Sequence, residues 1–264
     1  MRAASFNVNG IRAATRRGFP AWLEARDCDI VALQEVRCPE ADLPDVFGGY
    51  RLTYHQGSLA GRNGVAVLSR QEPLAARRGF GHASDDEGRY LEVDLPGLTV
   101  ASLYLPKGDV ADGGDAARTR YERKMDFMAA FADYLPTARA AAARRGGDYL
   151  LMGDFNIAHQ PADIKNWRAN QKSSGFLPEE REWLGGVLGQ GLVDVVRSLH
   201  EGESGPYSWW SWRGKAFDND AGWRIDYQLA TPDLAATATS AATDRDASYA
   251  KRISDHSPVV VDYA

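Results

Sequence analysis

Only two cysteines, Cys28 and Cys38, occur in 264 residues. They lack CxxC spacing and have no histidine beside them, which argues against a disulfide framework or a thiolate metal site; both read as reduced thiols of a cytosolic protein. Histidines number five, too few for a histidine-rich metal centre. No apolar run approaches the roughly 18 residues of a membrane span, and no apolar h-region opens the chain. Linkers rich in Pro, Gly and Ser are missing, as are internal repeats. Excess positive charge is missing too: the net charge is −5 and the pI about 5.6. That argues against a protein that coats nucleic acid nonspecifically. It leaves room for an enzyme acting on DNA, because a carboxylate-rich metal site adds negative charge that a bound cation offsets while basic residues cluster on one face.

What is present is ordinary for a soluble globular chain, with 44% hydrophobic and 25% charged residues. The expected organisation is one domain over 1–264, since the candidate site draws on both termini. A strand pattern begins at Ala3. Further apolar runs at 29–36, 50–54, 64–69, 89–95, 98–105, 149–154, 206–212, 224–230 and 257–263 predict strands. Helices are expected over Phe19–Ala25, over Arg118–Leu135 with Pro136 stopping or kinking the second, and from Pro178-Glu179-Glu180 onward. Many strands with few helices fit an α/β fold of two packed sheets flanked by helices.

Tyr149-Leu150-Leu151-Met152-Gly153-Asp154-Phe155-Asn156 carries the most chemistry. Period two places Asp154 and Asn156 on one strand face. A carboxylate able to take a proton from water beside an amide able to orient it is half of a hydrolytic site, although Asp-x-Asn is also ordinary turn chemistry. Polar residues end other apolar runs in the same way: Asn7-Val8-Asn9-Gly10, Gln34-Glu35, Pro106-Lys107, Asp226-Tyr227 and Asp255-His256-Ser257-Pro258. Gathering such groups from several strand ends is how sheet enzymes build sites.

Glu35, after an almost wholly apolar strand, must be paired, hydrated or coordinated. An ion pair with a neighbouring arginine is the plain alternative to a metal. With Asn7 and Asp255 it makes an oxygen-rich set suited to Mg²⁺ or Mn²⁺. His256 opens a buried strand and could pair with Asp226, whose carboxylate would fix the tautomer and favour the imidazolium. His55, His82, His159 and His200 read as surface or structural residues.

Asn7-Val8-Asn9-Gly10-Ile11-Arg12, Leu33-Gln34-Glu35, Gly153-Asp154-Phe155-Asn156, Gly222-Trp223-Arg224-Ile225-Asp226-Tyr227 and Ser254-Asp255-His256-Ser257-Pro258, in this order, resemble the exonuclease III family of abasic-site endonucleases. Tyr207-Ser208-Trp209-Trp210-Ser211-Trp212-Arg213 resembles its bacterial branch. The resemblance implies a four-layer α/β sandwich, two mixed sheets flanked by helices. It implies metal ligation by Asn7, Glu35 and Asp255, with Asp154 and Asn156 as possible additional ligands. Asp154 would accept the proton of attacking water, Asn156 would orient that water, and His256, held by Asp226, would donate to the phosphoryl group. Tyr104 matches a tyrosine near the scissile phosphate. Lys107 stands where the family commonly has asparagine or a small polar residue, a departure that leaves the local phosphate contact open. Arg12, Lys165, Asn166, Asn170 and Lys172 are expected DNA contacts, and Trp223 is expected to line the pocket for a sugar lacking its base. The implied protein is a cytoplasmic, monomeric, Mg²⁺-dependent hydrolase of duplex DNA with abasic sites or blocked 3′ ends. The alternatives are a catalytically silent DNA-binding relative and a same-fold lipid or inositol phosphohydrolase. Intact Glu35, Asp154, Asn156, Asp226 and His256 weigh against the first. The tryptophan-rich segment with Gly222-Trp223-Arg224 weighs against the second.

Overall fold

The computed structural model describes residues 1–264. Its strands are β1 (Arg2–Asn7), β2 (Ile30–Gln34), β3 (Arg51–His55), β4 (Val65–Ser69), β5 (Ala75–Arg78), β6 (Tyr90–Leu95), β7 (Leu98–Tyr104), β8 (Asp148–Asp154), β9 (Val193–Asp194), β10 (Asp226–Ala230), β11 (Ala238–Thr243) and β12 (Val259–Tyr263). Its helices are α1 (Ile11–Arg16), α2 (Phe19–Arg26), α3 (Asp115–Arg144), α4 (Pro178–Gly189), α5 (Val195–Leu199) and α6 (Pro232–Ala236). The strands form two six-stranded sheets, ordered β11-β12-β1-β2-β4-β3 and β5-β6-β7-β8-β10-β9. Both are mixed, because β1–β2 and β7–β8 pair in parallel and the other pairs are antiparallel.

Alternation along the strands builds the layers. Ala3, Ile30, Ala32, Val65 and Val67 of the first sheet meet Val93, Val100, Leu150 and Met152 of the second in a shared core. The opposite face of the first sheet, with Phe6, Val31, Leu33 and Leu68, packs under α1 and α2 through Ile11, Phe19 and Leu23. The outer face of the second, with Leu103, Leu151 and Leu229, packs under Phe127 and Phe131 of α3 and Leu184 of α4. The result is a four-layer α/β sandwich. Coverage on both faces explains why the central strands are continuous apolar runs.

Several elements differ from expectation. Residues 206–212 join neither sheet. Their donors fasten them to neighbouring loops: Ser208 and Trp209 N–H both bond Trp223 O at 2.9 Å, and Trp210 N–H bonds Asp255 O at 3.1 Å. Their apolarity serves tryptophan packing instead, Trp210 with Tyr207 and Phe217, and Trp209 edge-on to Trp223. Pro136 does not stop α3, which runs on to Arg144. Proline lacks the N–H that would bond Ala132 O, but Gln190 Nε2, just past α4, donates to that carbonyl at 3.1 Å. Finally, β5 and β11 lie at sheet edges with mostly exposed or half-exposed side chains, so no apolar pattern marks them.

Candidate active site

Register brings distant motifs to one level. Asp154, at the end of β8, stands opposite Tyr104, at the end of β7, and opposite Asp226, at the start of β10. In the first sheet Asn7 ends β1 beside Gln34 of β2, and Glu35 follows. Asn7 is fully buried and joins the sheets: its Nδ2 donates to Glu35 Oε1 at 2.9 Å and to Asp154 Oδ2 at 2.8 Å. Its Oδ1 accepts from Asn9 N–H at 3.0 Å. Asn7 therefore braces the carboxylates from behind the pocket wall, where the sequence had pointed to an oxygen ligand.

His256 Nδ1 lies 2.9 Å from Asp226 Oδ2, and its Nε2 lies 3.7 Å from Asp154 Oδ2. Burial works against a charged imidazole here, but the Asp226 and Asp154 carboxylates outweigh it and hold His256 protonated well above the usual histidine range. Burial likewise pushes the Asp154 carboxyl up; Asp226 and Glu35 add to this and His256 opposes them. Asp154 Oδ1 accepts from Asn156 N–H at 2.8 Å, and Asn156 Nδ2 donates to Leu105 O at 3.0 Å, fixing the amide. Asn9, Glu35 and Asn156 all carry positive φ, 45°, 51° and 50°. Such backbone is strained for these residues and gathers at functional sites.

Asn9, Glu35, Asp154, Asn156 and His256 line a cavity of about 310 Å³ with Arg37, Tyr104, Lys107, Ser173, Ser174, Gly175, Trp209, Trp223, Ile225 and Asp255. Burial raises the Tyr104 hydroxyl well above its ordinary range, reinforced by Glu35 and Asp154. Asp255 is engaged on both oxygens, by Asn9 Nδ2 at 2.7 Å and Trp209 Nε1 at 3.2 Å. Burial alone would raise its carboxyl, but His256 and these two donors hold it below the usual range.

A cation fits this donor set. Ligand atoms of Glu35, Asp154 and His256 lie within 4.8 Å of one another. His256 Nδ1 is taken up by Asp226, and the carboxylate oxygens of the set are the donors that hard divalent ions prefer. Glu35 Oε2 and Asp226 Oδ1 are buried without a hydrogen bond. The Arg37 guanidinium contacts Glu35 Oε2, the ion pair that is the plain alternative to a metal, so a cation here would share Glu35 with Arg37.

Other expected residues lie outside this cavity. Arg12 lines a neighbouring groove with Gly10, Arg16 and Arg37. Lys165, Asn166 and Asn170 line another with Trp167 and Arg168. Lys172 is exposed, next to Ser173 of the wall. Sequence reasoning missed Asn9, Arg37, Ser208 and Trp209. Asn9 and Arg37 stand two positions after Asn7 and Glu35, a spacing that could have found them. Ser208, whose Oγ donates to Asp226 Oδ2 at 2.6 Å, had no signal.

Residues 4–256 match the endonuclease/exonuclease/phosphatase family. An exodeoxyribonuclease of Bacillus subtilis (strain 168) is 33% identical over 261 residues, 98% of this chain and 98% of its own. A solved AP endonuclease from Archaeoglobus fulgidus shares the fold with a TM-score of 0.88 and 29% identity, over 100% of this chain and 99% of its own. So does a 3′ phosphatase from Neisseria bound to a product DNA hairpin, at a TM-score of 0.88, 27% identity and the same coverage. No helix here is long and apolar enough to cross a membrane. With Glu35, Asp154, Asp226 and His256 converging at the strand ends of a matching sandwich, the chain belongs to the endonuclease/exonuclease/phosphatase family, among its exodeoxyribonuclease III-type hydrolases.

Proposed function

We propose that this enzyme is a DNA repair phosphodiesterase, dependent on Mg²⁺ or Mn²⁺, that cuts duplex DNA 5′ to abasic sites and processes 3′ ends as exonuclease and phosphatase. The single observation that supports this most is the meeting of the His256 imidazolium with the raised carboxyl of Asp154, the buried Glu35 carboxylate and the Asp255 carboxylate in one polar cavity. Asp154, unusually basic for a carboxylate, accepts the proton of a water placed by Asn156 for in-line attack on phosphorus. His256, its Nδ1 held by Asp226, donates from Nε2 to a phosphoryl oxygen, and the Tyr104 hydroxyl supports the same group. Glu35 would be the main ligand of a divalent cation, with Asp154 and Asp255 the further carboxylates of the pocket. When bound, a divalent ion there neutralises charge on the phosphate and the departing oxygen.

Lys107 brings an additional cation to the phosphate, and Arg12, Lys165, Asn166, Asn170 and Lys172 hold the flanking backbone. Trp223 walls the space for a baseless sugar. The same reading has residues 1–264 as one domain of a cytoplasmic monomer. It is tested by comparing an abasic duplex, a recessed 3′ hydroxyl end and a 3′ phosphate end under Mg²⁺. Incision 5′ to the abasic site is expected. Cleavage of none of the three would leave the silent DNA-binding reading.

A further inference from the structure

One ion pair lies out of water beside the cavity without taking part in the chemistry described above. Lys124 of α3 and Glu180 of α4 are both fully buried, with Nζ and Oε1 2.6 Å apart. An ammonium has three protons to donate, and Nζ has three acceptors: Glu180 Oε1, the Asn156 carbonyl at 3.0 Å and the Lys107 carbonyl at 3.4 Å. Glu180 is as fully used. Its Oε2 accepts from Gly175 N–H at 2.6 Å and Leu177 N–H at 3.0 Å. Ser174 Oγ lies 2.9 Å from the Lys107 carbonyl and 3.3 Å from Glu180 Oε1.

The pair thus grips the main chain of three segments far apart in sequence, at Lys107, Asn156 and Gly175–Leu177, of which Lys107, Asn156 and Gly175 line the cavity. Packing repeats the pattern. A Cβ on Gly108, whose φ is +72°, would come within 2.5 Å of the Lys124 side chain. One on Gly175 would come within 3.1 Å of both the Asn156 carbonyl and the Trp223 ring. Buried ion pairs are often no more stabilising than apolar residues of equal volume. Two leucines, however, could hold no carbonyl and no N–H. Asn156 in particular keeps a left-handed backbone, which asparagine tolerates better than other non-glycine residues and which the Lys124 bond to its carbonyl helps to hold.

We propose that Lys124 and Glu180 are positioning residues: they fix Asn156, Lys107 and the Ser174–Gly175 wall so that the water-orienting amide and the Trp223 wall keep their places. This rests on the reading of Asn156 given above. The test is the double variant Lys124→Met/Glu180→Gln, which removes both charges together and leaves neither unpaired. A thermal midpoint close to wild type is expected, with KM for the abasic duplex within about threefold and kcat lower by about tenfold or more, the scale on which small misplacements act. A folded double variant with wild-type kcat overturns the proposal, as does a loss confined to KM.

If the double variant does not fold, Glu180→Gln alone keeps an acceptor for Lys124 and is assayed in the same way. Hydrogen exchange of the Gly175 and Leu177 amides gives a readout free of turnover. Both are expected to be protected in the wild-type protein and to lose protection in Glu180→Gln; unchanged protection overturns the proposal. Should wild-type protein cleave no DNA while those amides respond as expected, the functional reading fails and the grip on the wall stands.

Discussion

Asp226 Oδ2 receives two groups at once, His256 Nδ1 at 2.9 Å and Ser208 Oγ at 2.6 Å. The carboxylate is fixed from one side and fixes the imidazole on the other, so its charge and its geometry reach the pocket through a single ring. Asp226→Asn and His256→Ala are each expected to lower kcat by about a hundredfold or more, the range of general acid–base contributions. The double variant is expected to lose little beyond the worse single, as groups acting as a unit do. Fully additive losses in a four-point kinetic cycle would show that the two residues work independently.

Glu35 carries the prediction for the cation. Glu35→Ala, or excess chelator on the wild-type protein, is expected to abolish cleavage while far-UV circular dichroism stays unchanged. Restoring Mg²⁺ or Mn²⁺ after chelation is expected to recover the wild-type enzyme alone. Turnover that persists in chelator would remove Glu35 from the ligand role.

The nucleic-acid face separates into electrostatic and damage-reading parts. Lys165→Ala and Lys172→Ala are expected to weaken duplex binding and each to flatten the salt dependence by about one counterion, with the chemical step little changed. Trp223→Ala is expected to lower the ratio of abasic to intact duplex cleavage at a nearly constant salt slope. A Trp223→Ala protein that keeps wild-type discrimination returns that ring to a packing role.

Acid stability follows from the buried cluster behind Trp223. Asp163 is fully buried and receives Arg224 Nε at 2.7 Å and the Arg197 guanidinium. Burial opposes its charge, yet the two arginines outweigh it and hold the carboxyl below its ordinary range. A depressed folded value stabilises the native state at pH above the unfolded value of about 3.9, and the benefit is lost as pH falls through the folded one. Asp163→Asn is expected to cost about 1–3 kcal/mol at neutral pH. In urea titrations the gap from wild type should close below pH ~4. A gap that stays constant through the acid range would mean that charge is not what Asp163 contributes.

The sequence made the central strands legible because both faces of each sheet are covered, which writes them as unbroken apolar runs. Two edge strands were not legible: Ala75–Arg78 and Ala238–Thr243 face water and carry no such pattern. That α3 runs on past Pro136 was not legible, because the donor that serves the freed Ala132 carbonyl, Gln190, lies 54 positions beyond Pro136, and no local rule links the two. The candidate site was legible as residue types at strand ends, since a carboxylate following an apolar run demands an explanation by itself. Orientation was not. That Asn7 turns its amide nitrogen to Glu35 and Asp154, or that Ser208 backs Asp226, depends on contacts between sheets and loops that a linear pattern does not encode.

Asn7 holds Glu35, which follows a strand of one sheet, and Asp154, on a strand of the other. The pocket floor is therefore a seam. A slide of one sheet over the other would act on the Asn7–Asp154 bond, the one of the two that crosses between the sheets, while every ladder within each sheet survived. Turnover then works as a strain gauge on the sandwich: on warming, or after a substitution deep between the sheets at Val100 or Met152, it should fail before secondary structure does.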